Sequence, residues 1–171
     1  LTNPSVIAMY GPLASQTADA LAVFKTVMMG AFLTAVLGFV VVRRHTRTEE
    51  DEGRHELVGS GVVGRWSALA ASVALACLSV IAASALSAVG LAALGMDGAG
   101  SAAFAVAWLS AGLATVGVTA VAVQLASTSR GAAGLGFGFL AAAYALRAVA
   151  DSSDAGTLLH ALGWLSPLGW A

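Results

Sequence analysis

Four long stretches without a charged residue constrain this chain more than any other feature. They cover residues 26–42, 67–95, 101–129 and 131–146. A helix of 17 residues is about 25 Å long, close to the thickness of the hydrocarbon core of a bilayer, and the longer stretches exceed it. With 58% apolar and 10% charged residues, the chain lacks the polar surface that a soluble domain of this size needs. The sequence therefore predicts a membrane protein.

These stretches have the pattern of helices and not of barrel strands. A backbone in lipid must satisfy its own hydrogen bonds, which only helices and closed barrels do. Barrel strands alternate apolar and polar residues, and these stretches do not. A single helix over 101–146 would be about 69 Å long, so the chain must fold back at the polar residues 127–131. We predict an all-α polytopic membrane protein with four transmembrane helices at about 20–42, 67–94, 102–126 and 132–148.

Charge is concentrated in one segment, residues 43–56, which we call the charged island. It contains four of the eight Lys and Arg residues and five of the nine acidic residues. With four spans, the 43–66 loop and the 127–130 turn share one side of the membrane and hold six basic residues, whereas the opposite loops hold none. Because basic loops stay inside, we predict that the 43–66 loop is cytoplasmic and that both ends of the chain lie outside.

The two ends of the chain are predicted to lie on the outer face. Residues 1–20 are rich in turn-forming types and indicate a loop before the first helix. In the segment 151–171, leucines recur at helical spacing over too short a length to span, and Trp164 and Trp170 suit the membrane surface. We expect a short outer-face helix there, followed by another span in a longer polypeptide.

No catalytic or metal-binding set is evident. The three histidines lie in loops without a ligand partner at a useful spacing. The glycine-rich residues 131–138 follow a membrane helix and lack the Lys and Ser/Thr of a phosphate-binding loop. The middle of each span has no ionisable residue, which favours lipophilic cargo over ions. We predict no catalytic residue, no metal and no cofactor in this chain, and an intramembrane enzyme is the least favoured class.

Gly134 and Gly138 are four residues apart in the fourth span. This small-xxx-small spacing lets two membrane helices approach closely. We predict that these glycines pack against a neighbouring helix.

The charged island allows two interpretations. If residues 46–58 are helical, Glu50 and Arg54 pair at i,i+4, as do Asp51 and His55. Such a helix would dock another protein. The alternative is a solvated loop whose charges only set the topology.

The residues of the island resemble a known family. Residues 44–57, RHTRTEEDEGRHEL, resemble the segment of the form RHTRxEEExGRxEL in actinobacterial ABC-2-type permeases of the polyketide or tetronasin-type antibiotic exporters. Residues 164–170, WLSPLGW, resemble the outer-face motif of the same family, and the start of the chain fits its first outer loop. Phe24 and Lys25 depart from the Trp-Arg pair that the resemblance suggests.

The resemblance implies that residues 1–171 are part of one ABC-2-type transmembrane domain, with the four spans as the second to fifth of a six-helix half. The 43–66 region would contain a coupling helix seated in a groove of an ABC ATPase subunit. That partner would bind ATP and Mg. The implied partner-binding residues are Arg44, Arg47, Glu49, Glu50, Asp51, Glu52, Arg54 and Glu56.

The sequence thus predicts the permease subunit of an ATP-driven exporter in an actinobacterial plasma membrane, acting in multidrug efflux and antibiotic resistance. Its expected partners are an ABC ATPase, the lipid bilayer and a lipophilic small molecule, with no nucleic acid. The chain itself would not be an enzyme. The alternative is a non-transport assembly or sensor protein whose charged cytoplasmic loop docks a regulatory partner.

Overall fold

The computed structural model describes residues 4–10, 18–51, 64, 66–154 and 156–170, and every regular element in them is helical. We call residues 44–51, which continue the second helix, the charged extension. The elements in chain order are α1 (Pro4–Tyr10), α2 (Ala18–Arg43) with its continuation as a π-helical turn (Arg44–Thr48) and one α-turn (Glu49–Asp51), α3 (Ser67–Ala93), α4 (Gly98–Leu125), α5 (Ser129–Asp151), α6 (Leu158–Ala161) and two 3₁₀ turns (Leu162–Leu165 and Pro167–Trp170).

Four of these helices, α2 to α5, are long and apolar enough to cross a bilayer, which confirms the predicted all-α, multi-pass architecture. Their limits agree with the predicted ones to within about one helical turn. The helix α4 starts earlier than predicted because Asp97 caps it, accepting from Ala99 N at 2.7 Å. The helix α5 is longer at its far end, where the ion pair of Arg147 and Asp151 joins successive turns.

The centre of the bundle is the contact between α2 and α4. The indole of Trp108 lies over Gly30, where a Cβ would collide with the ring. The indole Nε1 donates to Val27 O at 3.1 Å, and Thr34 Oγ1 donates to Trp108 O at 3.0 Å. A glycine at this crossing is therefore what permits the two backbones to approach.

The helix α3 packs against α2 and α4 along one face. Ala76 and Val80 are fully buried on that face. Its other side chains, such as Leu78, Leu86 and Val89, are exposed in this chain. An apolar helix with one exposed apolar side is what a bilayer solvates, so this side faces lipid or further spans of the protein.

The structure corrects the prediction of a loop over residues 1–20. Pro4–Tyr10 is a helix of seven residues that packs against α5, and the ring of Tyr10 lies 5.8 Å from that of Phe24. A proline at the first helical position needs no hydrogen-bond partner for its nitrogen, so the turn signal of Pro4 also suits a helix start. Residues 11–17 lie outside the described part of the chain.

The structure also corrects the outer-face segment. A short helix, α6, is present and Trp164 is 73% exposed, as predicted for a surface position. The chain then turns back into the bundle instead of lying on it. Ser166 Oγ donates to Ala143 O at 2.8 Å, and Leu168 is 1% exposed. Ala143 lies about 12 Å along α5 from its end, so Pro167–Trp170 forms a re-entrant turn between the helices.

Candidate functional site

The charged island begins as a direct continuation of α2. Residues 44–51 remain helical, although Arg44–Thr48 adopts π-type hydrogen bonding. The predicted coupling helix over 46–58 is therefore described only in its first turn. Three of the predicted partner-binding residues, Glu52, Arg54 and Glu56, lie outside the described residues.

The charged extension contains two ion pairs among its own residues. Glu50 forms an ion pair with Arg47, three residues earlier, and His45 Nδ1 lies 2.9 Å from Glu49 Oε1. The predicted partners of Glu50 and Asp51 were Arg54 and His55, which the structure does not describe. Arg44 remains exposed.

Three side chains of α2 and its extension converge on Ser129, the first residue of α5. Asp51 Oδ2 accepts from Ser129 N at 2.7 Å, and Thr48 Oγ1 lies 3.0 Å from Ser129 Oγ. Arg43 Nη1 donates to the same hydroxyl at 3.4 Å. We call these four residues the Ser129 joint. It attaches the charged extension to the helix that follows the α4–α5 turn.

A further contact attaches the extension to α4, where Arg47 Nε donates to Val123 O. Beside the joint lies an open groove of about 550 Å³ whose walls include Thr128 and Arg130. We call this part of the molecule, formed by the charged extension and residues 126–130, the basic end. Two predicted partner-binding residues, Arg47 and Asp51, thus already contact other helices of this chain.

The described structure places no neighbour against the predicted packing face of α5. Gly134 and Gly138 are exposed, and a Cβ at either position would meet no atom within 4 Å in the described structure. Gly136 makes the close contact instead, because a Cβ there would collide with the ring of Phe39. The rings of Phe39 and Phe137 lie 4.9 Å apart, edge to face. Contacts of Gly134 and Gly138 with spans outside this chain stay a prediction.

An apolar cavity that the sequence analysis missed lies between α1, α2 and α5. Its volume is about 580 Å³, within the range of pockets that hold drug-sized molecules. Its lining carries no charged side chain among the described residues. The lining residues are Met9, Tyr10, Met28, Met29, Phe32, Phe137, Leu140, Ala141 and Tyr144.

The chemistry of this lining suits varied apolar ligands. Methionine side chains are flexible and polarizable, and they adapt to ligands of different shape. Aromatic rings supply flat apolar surface, and the tyrosines add hydroxyls to it. A signal was present in the sequence, because Phe137, Leu140, Ala141 and Tyr144 have the i, i+3, i+4, i+7 spacing of one helical face. The opposing wall, in contrast, depends on how α2 and α1 pack.

A buried ion pair lies at the opposite end of the bundle, which we call the Asp97 end. Arg147 is 5% exposed, and its Nη2 lies 3.0 Å from Asp151 Oδ2. The contact lacks hydrogen-bond geometry at Asp151. Close by, His160 Nδ1 lies 3.2 Å from Ala150 O, which joins α6 to α5. The described residues contain no group of three or more His, Cys, Asp or Glu side chains that could hold a metal ion.

Comparison with known proteins gives one clear relationship. No protein-family model matches the chain. Over all 171 residues it is 39% identical to the multidrug efflux system permease protein Rv1217c of Mycobacterium tuberculosis. The chain is similar to part of an actinobacterial transporter permease. This confirms the relationship that the sequence motifs indicated.

The match is complete for this chain and partial for the relative. The chain spans 30% of the length of the mycobacterial protein. Because the identity extends over every described helix, the four spans, the charged extension and the re-entrant turn all lie in the region of similarity.

Proposed function

We propose that this chain is part of the membrane-spanning permease subunit of an ATP-driven ABC exporter that moves lipophilic drugs or antibiotics out of the cell. The observation that carries the proposal is the 39% identity, along the entire chain, to a protein named as a multidrug efflux permease. The alternative of a non-transport assembly or sensor protein gains no support from that relative.

The apolar cavity supports a lipophilic cargo. Its volume of about 580 Å³ accommodates a drug-sized molecule, and its methionine and aromatic lining tolerates different shapes. A pocket without charged groups favours cargo that partitions into lipid. We propose that cargo enters this cavity between α2 and α5.

The energy source is proposed to be a separate ABC ATPase that docks at the basic end. Six basic residues in the 43–66 loop and the 127–130 turn favour a cytoplasmic position for this end. Arg44, Glu50 and Arg130 are exposed there and present charge to a partner. The remaining island residues Glu52, Arg54 and Glu56 would extend the same surface.

The test is transport by the complete protein together with a P-loop ATPase that copurifies with it. In proteoliposomes we expect ATP-dependent accumulation of a neutral lipophilic fluorescent dye. Phe32→Ala, which enlarges the cavity, should lower dye transport, whereas Leu33→Ala serves as the matched control because Leu33 is exposed and does not line the cavity. Absence of ATP-dependent accumulation by the unmodified protein would refute the proposal.

A further inference from the structure

We propose that the Ser129 joint is a positioning device that transmits movement of the charged extension to α5 and so sets the width of the apolar cavity. The inference rests on the proposed exporter function. In such an exporter, Asp51 and Thr48 would act on the cargo site through α5, without touching the cargo.

Asp51 is not needed to cap α5. Thr128 already caps this helix, since its Oγ1 accepts from Gly131 N at 3.0 Å. Asp51 is an additional acceptor, supplied from a residue 78 positions away in the chain. Because the start of α5 is already capped, the hydrogen bond from Ser129 N to Asp51 adds little to the formation of either helix. Its effect is to link the charged extension to α5.

The contacts of the joint continue along the interface between α2 and α5 towards the cavity. Arg43 contacts both Ser129 Oγ and, with its Cζ 5.7 Å from the ring centroid, the face of Phe39. Phe39 in turn packs against Gly136 and Phe137, about 10 Å further along α5. Phe137 lines the cavity. The contacts therefore form a continuous path from the charged extension to the cavity wall.

The Ser129 joint and the cavity lie along the same two helices. The cavity lies between α2 and α5, with Met28, Met29 and Phe32 on one side and Phe137, Leu140 and Tyr144 on the other. The Ser129 joint and the Phe39 contact hold these helices together at the basic end. A bound ATPase that displaces the charged extension therefore also pulls on the start of α5, and any movement of α5 relative to α2 changes the distance between the two walls.

A matched control for the joint exists at the Asp97 end. Asp97 is also exposed and also accepts from amides at a helix start, those of Ala99 and Gly100, but both belong to its own helix. Asp51→Ala and Asp97→Ala thus remove the same chemical group from the same kind of helix end. Only the first variant breaks a contact between helices.

The first measurement uses the complete exporter with its ATPase in proteoliposomes. Asp51→Ala should lower the cargo moved per ATP hydrolysed by about threefold to tenfold, a ratio from which any change in ATP turnover itself is divided out. Asp51→Asn should recover most of the loss, because the amide oxygen still accepts from Ser129 N. Asp97→Ala should leave the ratio unchanged. Equal ratios in all variants, or an equal loss in Asp97→Ala, would overturn the proposal.

The second measurement locks the joint. In a Cys77→Ala background, Thr48→Cys and Ser129→Cys should form a disulfide on oxidation, because the two hydroxyl oxygens lie 3.0 Å apart. If the joint moves as one unit, the locked protein still transports. Failure to form the disulfide, or a disulfide that stops transport, shows that the two segments separate and overturns the proposal.

A third measurement separates the inference from the proposed function. Equilibrium binding of the lipophilic dye to the complete protein in detergent needs no ATPase. Asp51→Ala should change the dye affinity about threefold or more, and Asp97→Ala should not. If the unmodified exporter transports nothing while this difference is present, the exporter function fails and the joint stands. If dye affinity is the same in both variants, the joint fails whatever the transport result.

Discussion

The two ends of the helical bundle use the same group in different ways. At the Asp97 end, a carboxylate accepts from amides two and three residues further along the chain, and the contact stays within one turn. At the basic end, Asp51 accepts from Ser129, and Thr48 and Arg43 contact the same residue. The first arrangement starts a helix, whereas the second holds two helices in a fixed relation.

This difference bears on the ATPase surface that we propose at the basic end. A local cap can shift or fray without consequence for other helices. A cap supplied by another helix makes the start of α5 sensitive to the position of the charged extension. The contact of Arg47 with Val123 O adds α4 to the same unit. The basic end therefore responds as one body to any force applied at the extension.

The largest loss of stability is expected from a substitution at Gly136, where the contact between α2 and α5 is closest. Gly136→Leu should displace Phe39 and separate the helices, costing about 3 kcal/mol or more and most of the folded yield. Gly138→Leu is the control, because its position is open in this chain. The measurement is thermal unfolding of the purified protein, followed by size-exclusion chromatography. Similar loss in both variants would show either that α5 is rotated from the described position or that Gly138 packs against a span outside this chain.

The next effect concerns the Asp97 end. Arg147→Ala should destabilise the protein by about 2–3 kcal/mol, because it leaves the carboxylate of Asp151 partly buried without a counter-charge. The double variant Arg147→Met with Asp151→Leu should recover most of the stability, since no isolated charge remains. The midpoint of thermal unfolding reports both. If the double variant is as unstable as Arg147→Ala, the stability comes from the ion pair itself, and the unpaired charge of Asp151 is not the cause of the loss.

Asp51→Ala and Asp97→Ala should lower the free energy of unfolding by nearly equal amounts, which are smaller than those of the variants above. Asp97→Ala should cost about 1 kcal/mol, as is usual for a lost helix cap. Asp51→Ala should cost about as much, because it removes a hydrogen bond between two helices while Thr128 still caps α5. Hydrogen exchange should then distinguish them. Asp97→Ala should speed exchange only in the first turn of α4, whereas Asp51→Ala should speed it both in the charged extension and in the first turn of α5. If each variant speeds exchange in only one helix, Asp51 does not link the charged extension to α5.

Substitution of exposed charged residues should have the smallest effect on stability. It should act selectively on partner binding. Arg44→Gln and Arg130→Gln should change the unfolding free energy by less than about 0.5 kcal/mol, because both side chains are exposed. Association with the ATPase should weaken, most clearly at low salt. Copurification at two salt concentrations measures this. Unchanged association would place the partner surface on the island residues beyond Asp51.

Several features of the fold could be predicted because they depend on neighbouring residues. The number of spans follows from the length of uncharged stretches, and their ends follow from charge and capping residues. The prediction at the start of the chain was wrong because Pro4 is compatible with both a turn and a helix start. At the end of the chain the predicted short helix is present. The return of Pro167–Trp170 into the bundle was not predicted, because the burial of Leu168 depends on the space between α2, α4 and α5.

The sequence by itself determined that this chain is a helical membrane protein with one charged segment, because transfer into lipid acts on each stretch of some 20 residues independently. Only the tertiary structure decided which faces meet. Successive helical residues turn by about 100°, so Gly136 lies about 200° around the axis from Gly134 and Gly138. A spacing pattern therefore identifies a possible packing face without saying whether another helix occupies it. The Ser129 joint and the cavity exist because separate helices, each predictable alone, are brought together by contacts that no local pattern contains.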